Sequence, residues 1–363
     1  MFKKYPLTSV IALLAVFILM FDFLGPTRVF SAYENRYLTQ RPSLKWEDIV
    51  DGKWMLTYEE FINDQFMLRD GWISLKSLSE RFLMKKENNG ILFGKEGYLF
   101  EKLLVLNDQT ALNLRYLAEF EKLVKAPLTS MIIPNSYAIL PQFLPKGSPL
   151  LDQLSLIEKW DASLNLLRIE SQLLNNNQNQ LYYKNDHHWT LEGAYIAYTA
   201  LCAQWNIQPL PYESFSIEYT PDFLGTYYAK AKPSKISPDR LAFIDPKIQT
   251  YRVGDRSFSS IIDRTKLSTH DKYGSFLHGN IGLATVVVNE TENPSRLLVI
   301  KDSYANSLIP FLISHFDEVV VVDLRHFSGS LSTVMQADSF DQILFIQNFS
   351  NFISDAHLAK LRY

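Results

Sequence analysis

The stretch YYKNDHHWTLEGA, Tyr182 to Ala194, sets Asp186, His187, His188 and Trp189 in an unbroken row. On extended backbone, side chains two apart share a face, so Asp186 can orient His188 while His187 points the other way. Such a pair is two parts of a nucleophilic relay: an imidazole that takes a proton from a hydroxyl, and a carboxylate that fixes its tautomer and stabilises the imidazolium. Ser303 offers the third part, because it follows the apolar run LLVIKD where a strand turns into a helix. In that position its backbone N–H would face an attacked carbonyl. Each part has a rival reading. Asp-Ser after a strand is often only a helix cap, adjacent Asp and His are common metal ligands, and buried polar residues can be plain hydrogen-bonded structure. The H-E-x-x-H pattern is absent, and His270, His278, His315, His326 and His357 show no ligand spacing, so no metal is expected.

The elements that must position these residues are legible as hydrophobic texture. RLLVIKDS, DEVVVVDLR and FDQILFIQN read as strands, joined by the helices YANSLIPFLISHF and GSLSTVMQAD. Three β-branched apolar runs linked by helices imply parallel strands buried on both faces, hence a three-layer α/β sheet. Ligands bind such sheets beyond the carboxyl ends of the strands, and Ser303, Arg325 and Asn348 each follow one of these three. Asn348 could donate its amide to an oxyanion, with Asn351 a less well placed alternative; otherwise an asparagine there is a turn former. No glycine-rich phosphate loop follows any strand, so no nucleotide cofactor is expected. Upstream, LTSMIIP and QLYYKN read as strands, LSLIEKWDASLNLLRIESQLL and TLEGAYIAYTALCAQW as helices, and NGILFGKEGYLFE as a hairpin.

The chain of 363 residues is 47% apolar and 21% charged with a formal charge of −3, enough to bury a large core and without the basic excess of a nucleic-acid binder. The single Cys202 excludes an intrachain disulfide and reads as a small buried residue. Lys3 and Lys4 precede the apolar run VIALLAVFILMF, extended past Asp22 by Phe23 and Leu24. At roughly 15 residues this run is marginal for a span, and with no convincing cleavage site it reads as a retained signal-anchor with the rest of the chain outside; the alternative is a secretory signal cleaved after Ser31.

Several separated motifs, NDHHWT, EGAYIAY, ENRYLTQRPS, DQFMLRDGW, ILFGKEGYLFE, DFLGTYYAK and VIKDSYANSLIP, resemble in order the DHHW family of bacterial envelope proteins. That family is similar to the alginate O-acetyltransferases of the AlgJ and AlgX type, within the SGNH-hydrolase superfamily. The resemblance implies a triad of Asp186, His188 and Ser303 in permuted order, with the oxyanion asparagine on Asn348. It departs from the superfamily in reading Lys301-Asp302-Ser303 where a G-D-S block is usual, and in lacking a G-x-N-D block. It further implies an extracytoplasmic serine O-acetyltransferase acting on an exopolysaccharide or cell-wall glycan. An acetyl esterase with the same triad and a non-catalytic glycan-binding assembly protein are the alternatives. Acetyl groups would come from a membrane-bound O-acyltransferase partner, and a polymer would bind along Trp189, Tyr227, Tyr228 and Arg325. The expected organisation is an anchor over 1–30, a helical extension over 31–125, and a catalytic domain over 126–363 with a β-rich insertion at about 207–290.

Overall fold

The β-branched runs do form strands, and they form them side by side. The computed structural model describes residues 6–31, 36–83, 85–233, 236–337 and 339–362. Its main sheet has seven strands, numbered here in chain order: β1 Leu128–Ile133, β2 Thr250–Val253, β3 Arg256–Phe258, β4 Leu283–Val287, β5 Arg296–Lys301, β6 Glu318–Val322 and β7 Gln342–Asn348. Their spatial order is β3-β2-β4-β6-β5-β7-β1. From β6 to β1 the neighbours run parallel, whereas β4, β2 and β3 add on antiparallel. Residues 207–290 therefore supply three strands of this sheet.

Alternate residues of the parallel strands enter two different apolar clusters, as the period of two requires. Leu297 and Val299 of β5, Val319 and Val321 of β6, and Leu344 and Ile346 of β7 join one cluster. Leu298 and Ile300, Val320 and Val322, and Ile343 and Phe345 join the other. Helix Leu191–Gln204 contributes to the first cluster through Ala194, Ala197, Tyr198 and Leu201. Helices Gln109–Leu123 and Gln153–Leu164 contribute to the second through Leu117, Phe120, Ile157 and Trp160. Each fully buried aliphatic side chain stabilises this arrangement by roughly 1.5–3 kcal/mol, so a charge at Val299 or Val321 would break it.

Two local readings change. The expected single helix LSLIEKWDASLNLLRIESQLL is two, Gln153–Leu164 and Glu170–Asn175. Asn165 ends the first with a left-handed φ of 45°, Asp161 Oδ1 accepts from Leu166 N–H at 2.7 Å, and Leu166 bridges to Ser130 of β1. A single left-handed residue stops a helix because it reverses the path of the next amide. QLYYKN, expected as a strand, is a loop with one antiparallel bridge, Tyr182 to Trp189. The hairpin of Ile91–Phe93 with Leu99–Glu101 forms as its turn residues suggest.

The chain divides into two compact units, residues 1–88 with 229–235, and residues 89–228 with 236–363. The second holds the sheet. The first contains helices Pro6–Leu24, Trp46–Val50, Lys53–Gln65 and Arg69–Phe82. Among the described residues no helix is long and apolar enough to cross a membrane.

Candidate active site

Within the parallel strands the chain steps from β5 to β6 on one side and then to β7 on the other, so its direction reverses at β5. Sheets of this kind open a crevice at such a point, and Ser303 stands just beyond the carboxyl end of β5, at the start of a short 3-10 turn, Ser303–Ser307. Asp302 holds that turn. Its carboxylate accepts from Tyr304 N–H at 2.9 Å, Asn348 N–H at 2.8 Å and Asn351 Nδ2 at 2.7 Å, joining the end of β5 to the end of β7. Beneath the turn, the buried Lys301 ammonium donates to Asn306 Oδ1 at 2.7 Å and lies 3.6 Å from Asp323. Burial depresses the Lys301 ammonium below its ordinary pKa, against the opposing pull of Asp323. Asp302 and the buried Lys301 before it are thus the struts of the nucleophile turn.

His188 comes to Ser303 from 115 residues earlier in the chain, with Nε2 2.8 Å from Ser303 Oγ. Its Nδ1 lies 2.5 Å from Asp186 Oδ1. Asp186 and His188 meet as the spacing suggests, but not because they sit on a strand. Residues 184–188 form a bent loop, in which Asp186 Oδ1 also accepts from His188 N–H at 2.9 Å, the aspartate-over-backbone turn that places residue i+2 beside its own carboxylate. His187 correspondingly does not point away: its Nδ1 is 3.7 Å from Asp186 Oδ2 and its ring centroid 3.8 Å from that of His188. Burial is the largest influence on Asp186 and opposes its ionisation. The imidazoles of His188 and His187, with hydrogen bonds from His188 and from Thr226 N–H, outweigh it and hold the carboxyl well below the usual carboxylate range.

The loop is braced from a segment that its own residue types do not flag. Thr226 N–H donates to Asp186 Oδ2 at 2.7 Å, Gly225 N–H to Asn185 Oδ1 at 2.7 Å, and Tyr228 N–H to Asn185 O at 2.9 Å. Asp239 Oδ2 accepts from Lys184 N–H, Asn185 N–H and Asn185 Nδ2 at 2.7, 3.2 and 2.8 Å. A Cβ at Gly225 would stand 2.2 Å from Asp186 Oδ2, so only glycine lets the two backbones approach this closely. Tyr273 was equally hidden. Its ring stacks flat on His188, centroids 3.6 Å apart and planes 8° from parallel, and its hydroxyl donates to Ser303 O at 3.1 Å. Gly225 and Thr226 lie in DFLGTYYAK, one of the motifs of the family resemblance, and Tyr273 in DKYGSF, yet neither stretch shows by itself that it braces the histidine loop.

Several expected roles are corrected. Asn348 caps helix Phe349–Ser354 by accepting from Ser350 N–H at 3.0 Å, and its Nδ2 donates to Ile133 O at 3.2 Å. Its side chain is occupied as a clamp between β1, β7 and that helix, and the expected oxyanion role gives way to a structural one. Asn351, the alternative, is spent on Asp302. Trp189 is completely buried and donates from Nε1 to Tyr304 O at 2.8 Å, so it is core and not a wall for substrate. Tyr227 is also buried, whereas Tyr228 is half-buried. Arg325 is gripped by Asp323 through two hydrogen bonds, at 2.9 and 2.7 Å. One ligand atom from each of Asp186, His187 and His188 falls within 4.8 Å of the others. Both ring nitrogens of His188 are engaged by Asp186 and Ser303, so a cation bound through His188 would have to displace one of those bonds.

The sequence matches the model of the DHHW protein family over residues 158–322, a span that takes in Asp186, His188 and Ser303, and the resemblance read from the motifs holds. The fold is shared with solved structures. A DHHW family protein from Eubacterium siraeum superposes with a TM-score of 0.65 at 22% identity, covering 76% of this chain and 96% of that one. Bacillus cereus PatB1 carrying a sulfonyl adduct superposes with a TM-score of 0.62 at 17% identity, covering 75% and 98%. The O-acetyltransferase domain of Pseudomonas putida AlgJ is more distant, with a TM-score of 0.45 at 13% identity, covering 75% and 98%, too low to show a shared fold. Among curated proteins no relative matches.

Proposed function

We propose that the protein is an extracytoplasmic serine O-acetyltransferase that moves acetyl groups onto a hydroxyl of an exopolysaccharide or cell-wall glycan. The observation that carries the reading is the unbroken relay from Ser303 Oγ through His188 to Asp186, at 2.8 and 2.5 Å. Ser303 Oγ attacks the acetyl carbonyl while His188 Nε2 takes its proton, and Asp186 stabilises the imidazolium. Collapse of the tetrahedral intermediate returns that proton to the departing group and leaves acetyl-Ser303. A sugar hydroxyl then attacks the acetyl carbon, again with His188 as base, and Ser303 leaves with the proton. With Asn348 occupied, and the Tyr304 and Ala305 N–H groups bonded to Asp302, the Ser303 N–H is the oxyanion donor this reading requires from the turn.

The setting is part of the proposal. Although helix Pro6–Leu24 as described falls short of a full span, we read it, with Lys3 and Lys4 before it in the sequence, as a short anchor in the cytoplasmic membrane with the remainder outside. Acetyl-CoA is not available there, so a membrane-bound O-acyltransferase partner would supply the acetyl group. The half-buried Tyr228 beside the Asp186 loop remains a candidate for contact with the glycan.

Intact-mass measurement tests the core of this reading. After incubation with activated acetyl esters, one acetyl group should appear on Ser303 and be missing from Ser303→Ala and His188→Ala. Because PatB1 has been captured with a sulfonyl adduct, a sulfonyl fluoride is a second probe of the same hydroxyl. Acetate release with no acetyl on an added oligosaccharide would mark an esterase instead, and no adduct from either reagent would refute the relay.

A further inference from the structure

Helix Arg69–Phe82 takes no part in this machinery and carries an apolar stripe. Trp72, Leu75, Leu78 and Phe82, each more than half exposed, are spaced three, three and four residues apart and so fall on one face. Leu68, four residues before Trp72, extends the stripe. Residues 68–86 hold five basic residues, Arg69, Lys76, Arg81, Lys85 and Lys86, against Asp70 and Glu80, a net charge of +3 in a chain whose formal charge is −3. An apolar stripe beside a basic excess is what an anionic lipid surface selects, with the tryptophan at headgroup level and long basic side chains reaching past it.

The position of this helix relative to the amino-terminal helix makes the occupant specific. Arg28, four residues beyond Leu24, donates from Nη1 to Asp70 Oδ2 at 2.7 Å and from its backbone N–H to Gln65 Oε1 at 2.8 Å. Gln65 Nε2 donates back to Arg28 O at 2.8 Å. Four residues of chain reach at most about 14 Å, so Arg28, the residue bonded to the start of the striped helix, lies within that distance of the end of the apolar one. Helix Pro6–Leu24 has 19 residues, about 28 Å at the rise of an α-helix, just short of a bilayer core of ~30 Å. Leu7, Val10, Ile11, Leu14 and Phe17 on it are exposed. A layer that receives those side chains lies within reach of Trp72.

We propose that Arg69–Phe82 is an interfacial helix that lays Trp72, Leu75, Leu78 and Phe82 into the same anionic lipid surface that holds the amino-terminal helix. The inference rests on reading Pro6–Leu24 as a membrane anchor, and the test separates the two. The full chain is reconstituted into vesicles of phosphatidylcholine and phosphatidylglycerol with brominated acyl chains, which quench tryptophan on contact. The quenching lost on Trp72→Phe isolates Trp72 from the other tryptophans, and resistance to alkaline carbonate extraction reports the anchor. The wild type should be carbonate-resistant with Trp72 quenched, and Leu75→Glu/Leu78→Glu should stay resistant while that quenching falls several-fold. Quenching that persists in a carbonate-extractable protein would remove the anchor and leave the interfacial helix standing. A carbonate-resistant protein with Trp72 unquenched, as when a second copy, another domain or a protein partner covers the stripe, overturns the inference. Extraction without quenching overturns both.

Discussion

Gly225→Ala is the sharpest perturbation of the site, because it adds one methyl group without touching a reacting residue. Its Cβ would lie 2.2 Å from Asp186 Oδ2 and Cβ and 2.5 Å from Cγ. Non-bonded atoms settle at roughly 3.5 Å, so a separation of more than about 1 Å must be recovered by movement. Gly225 is tethered to Asn185 and its neighbour Thr226 to Asp186 itself, which leaves displacement of the carboxylate as the available relief. A misplacement of about 1 Å in catalytic geometry costs on the order of 10²-fold in rate. Full loss of the aspartate's control of the imidazole tautomer costs about 10⁴-fold. Gly225→Ala should therefore lower the rate of acetyl-ester turnover by between ~10² and ~10⁴, with overpacking reducing stability by only about 1–3 kcal/mol. Burst and steady-state kinetics with an activated acetyl ester, alongside urea unfolding, measure both effects. Gly71→Ala is the control, since no atom lies within 4 Å of its Cβ. A folded Gly225→Ala protein turning over at the wild-type rate would refute the claim that this close approach positions Asp186.

Other expectations follow from the same geometry. Replacing Tyr273 by Leu removes the flat stack on His188 and should slow turnover by the ~0.5–2 kcal/mol of a ring over a cation, a few-fold to about thirtyfold; Tyr273→Phe keeps the stack and most of the activity. The Asp186 carboxyl is held below its ordinary pKa in the folded state. Its contribution to stability is therefore present above the unfolded value of ~4 and is lost as the pH falls further, so Asp186→Asn should flatten that part of the unfolding free energy measured against pH. Asp323→Ala strands the buried Lys301 ammonium and should cost about 3–5 kcal/mol in urea unfolding. The Cys202 thiol is buried and pushed up to about 11 by burial. It should resist a thiol reagent in the native protein and react once in denaturant.

The parts of this protein legible in its sequence are those governed by local chemistry. Runs such as EVVVV and QILFIQ read as strands buried on both faces, because they are short, continuously apolar between polar ends, and rich in β-branched and aromatic side chains. The pairing of Asp186 with His188 was equally local, since the two groups are two residues apart and an aspartate bonds readily to the backbone that follows it. Ser303 could be proposed because a serine after a buried strand falls on the rim of the sheet.

What the sequence left open depends on strands distant in the chain becoming neighbours. Asn348 and Ser303 both follow strands, and nothing local says which polar group at a strand end faces the crevice and which is consumed in tying β7 to β1 and to its own helix. Trp189 beside two histidines suggests a surface, yet the bridge to Tyr182 turns it into the core. Gly225, Thr226, Asp239 and Tyr273 hold the one turn that carries both histidines in place from residues 225–273, where they read as irregular sequence. Residue type and short-range spacing named the reacting groups, because nucleophile, base and acid are chemical identities. Their support is a matter of which backbone amide ends within about 3 Å of which carboxylate, and that is set by how the whole sheet packs.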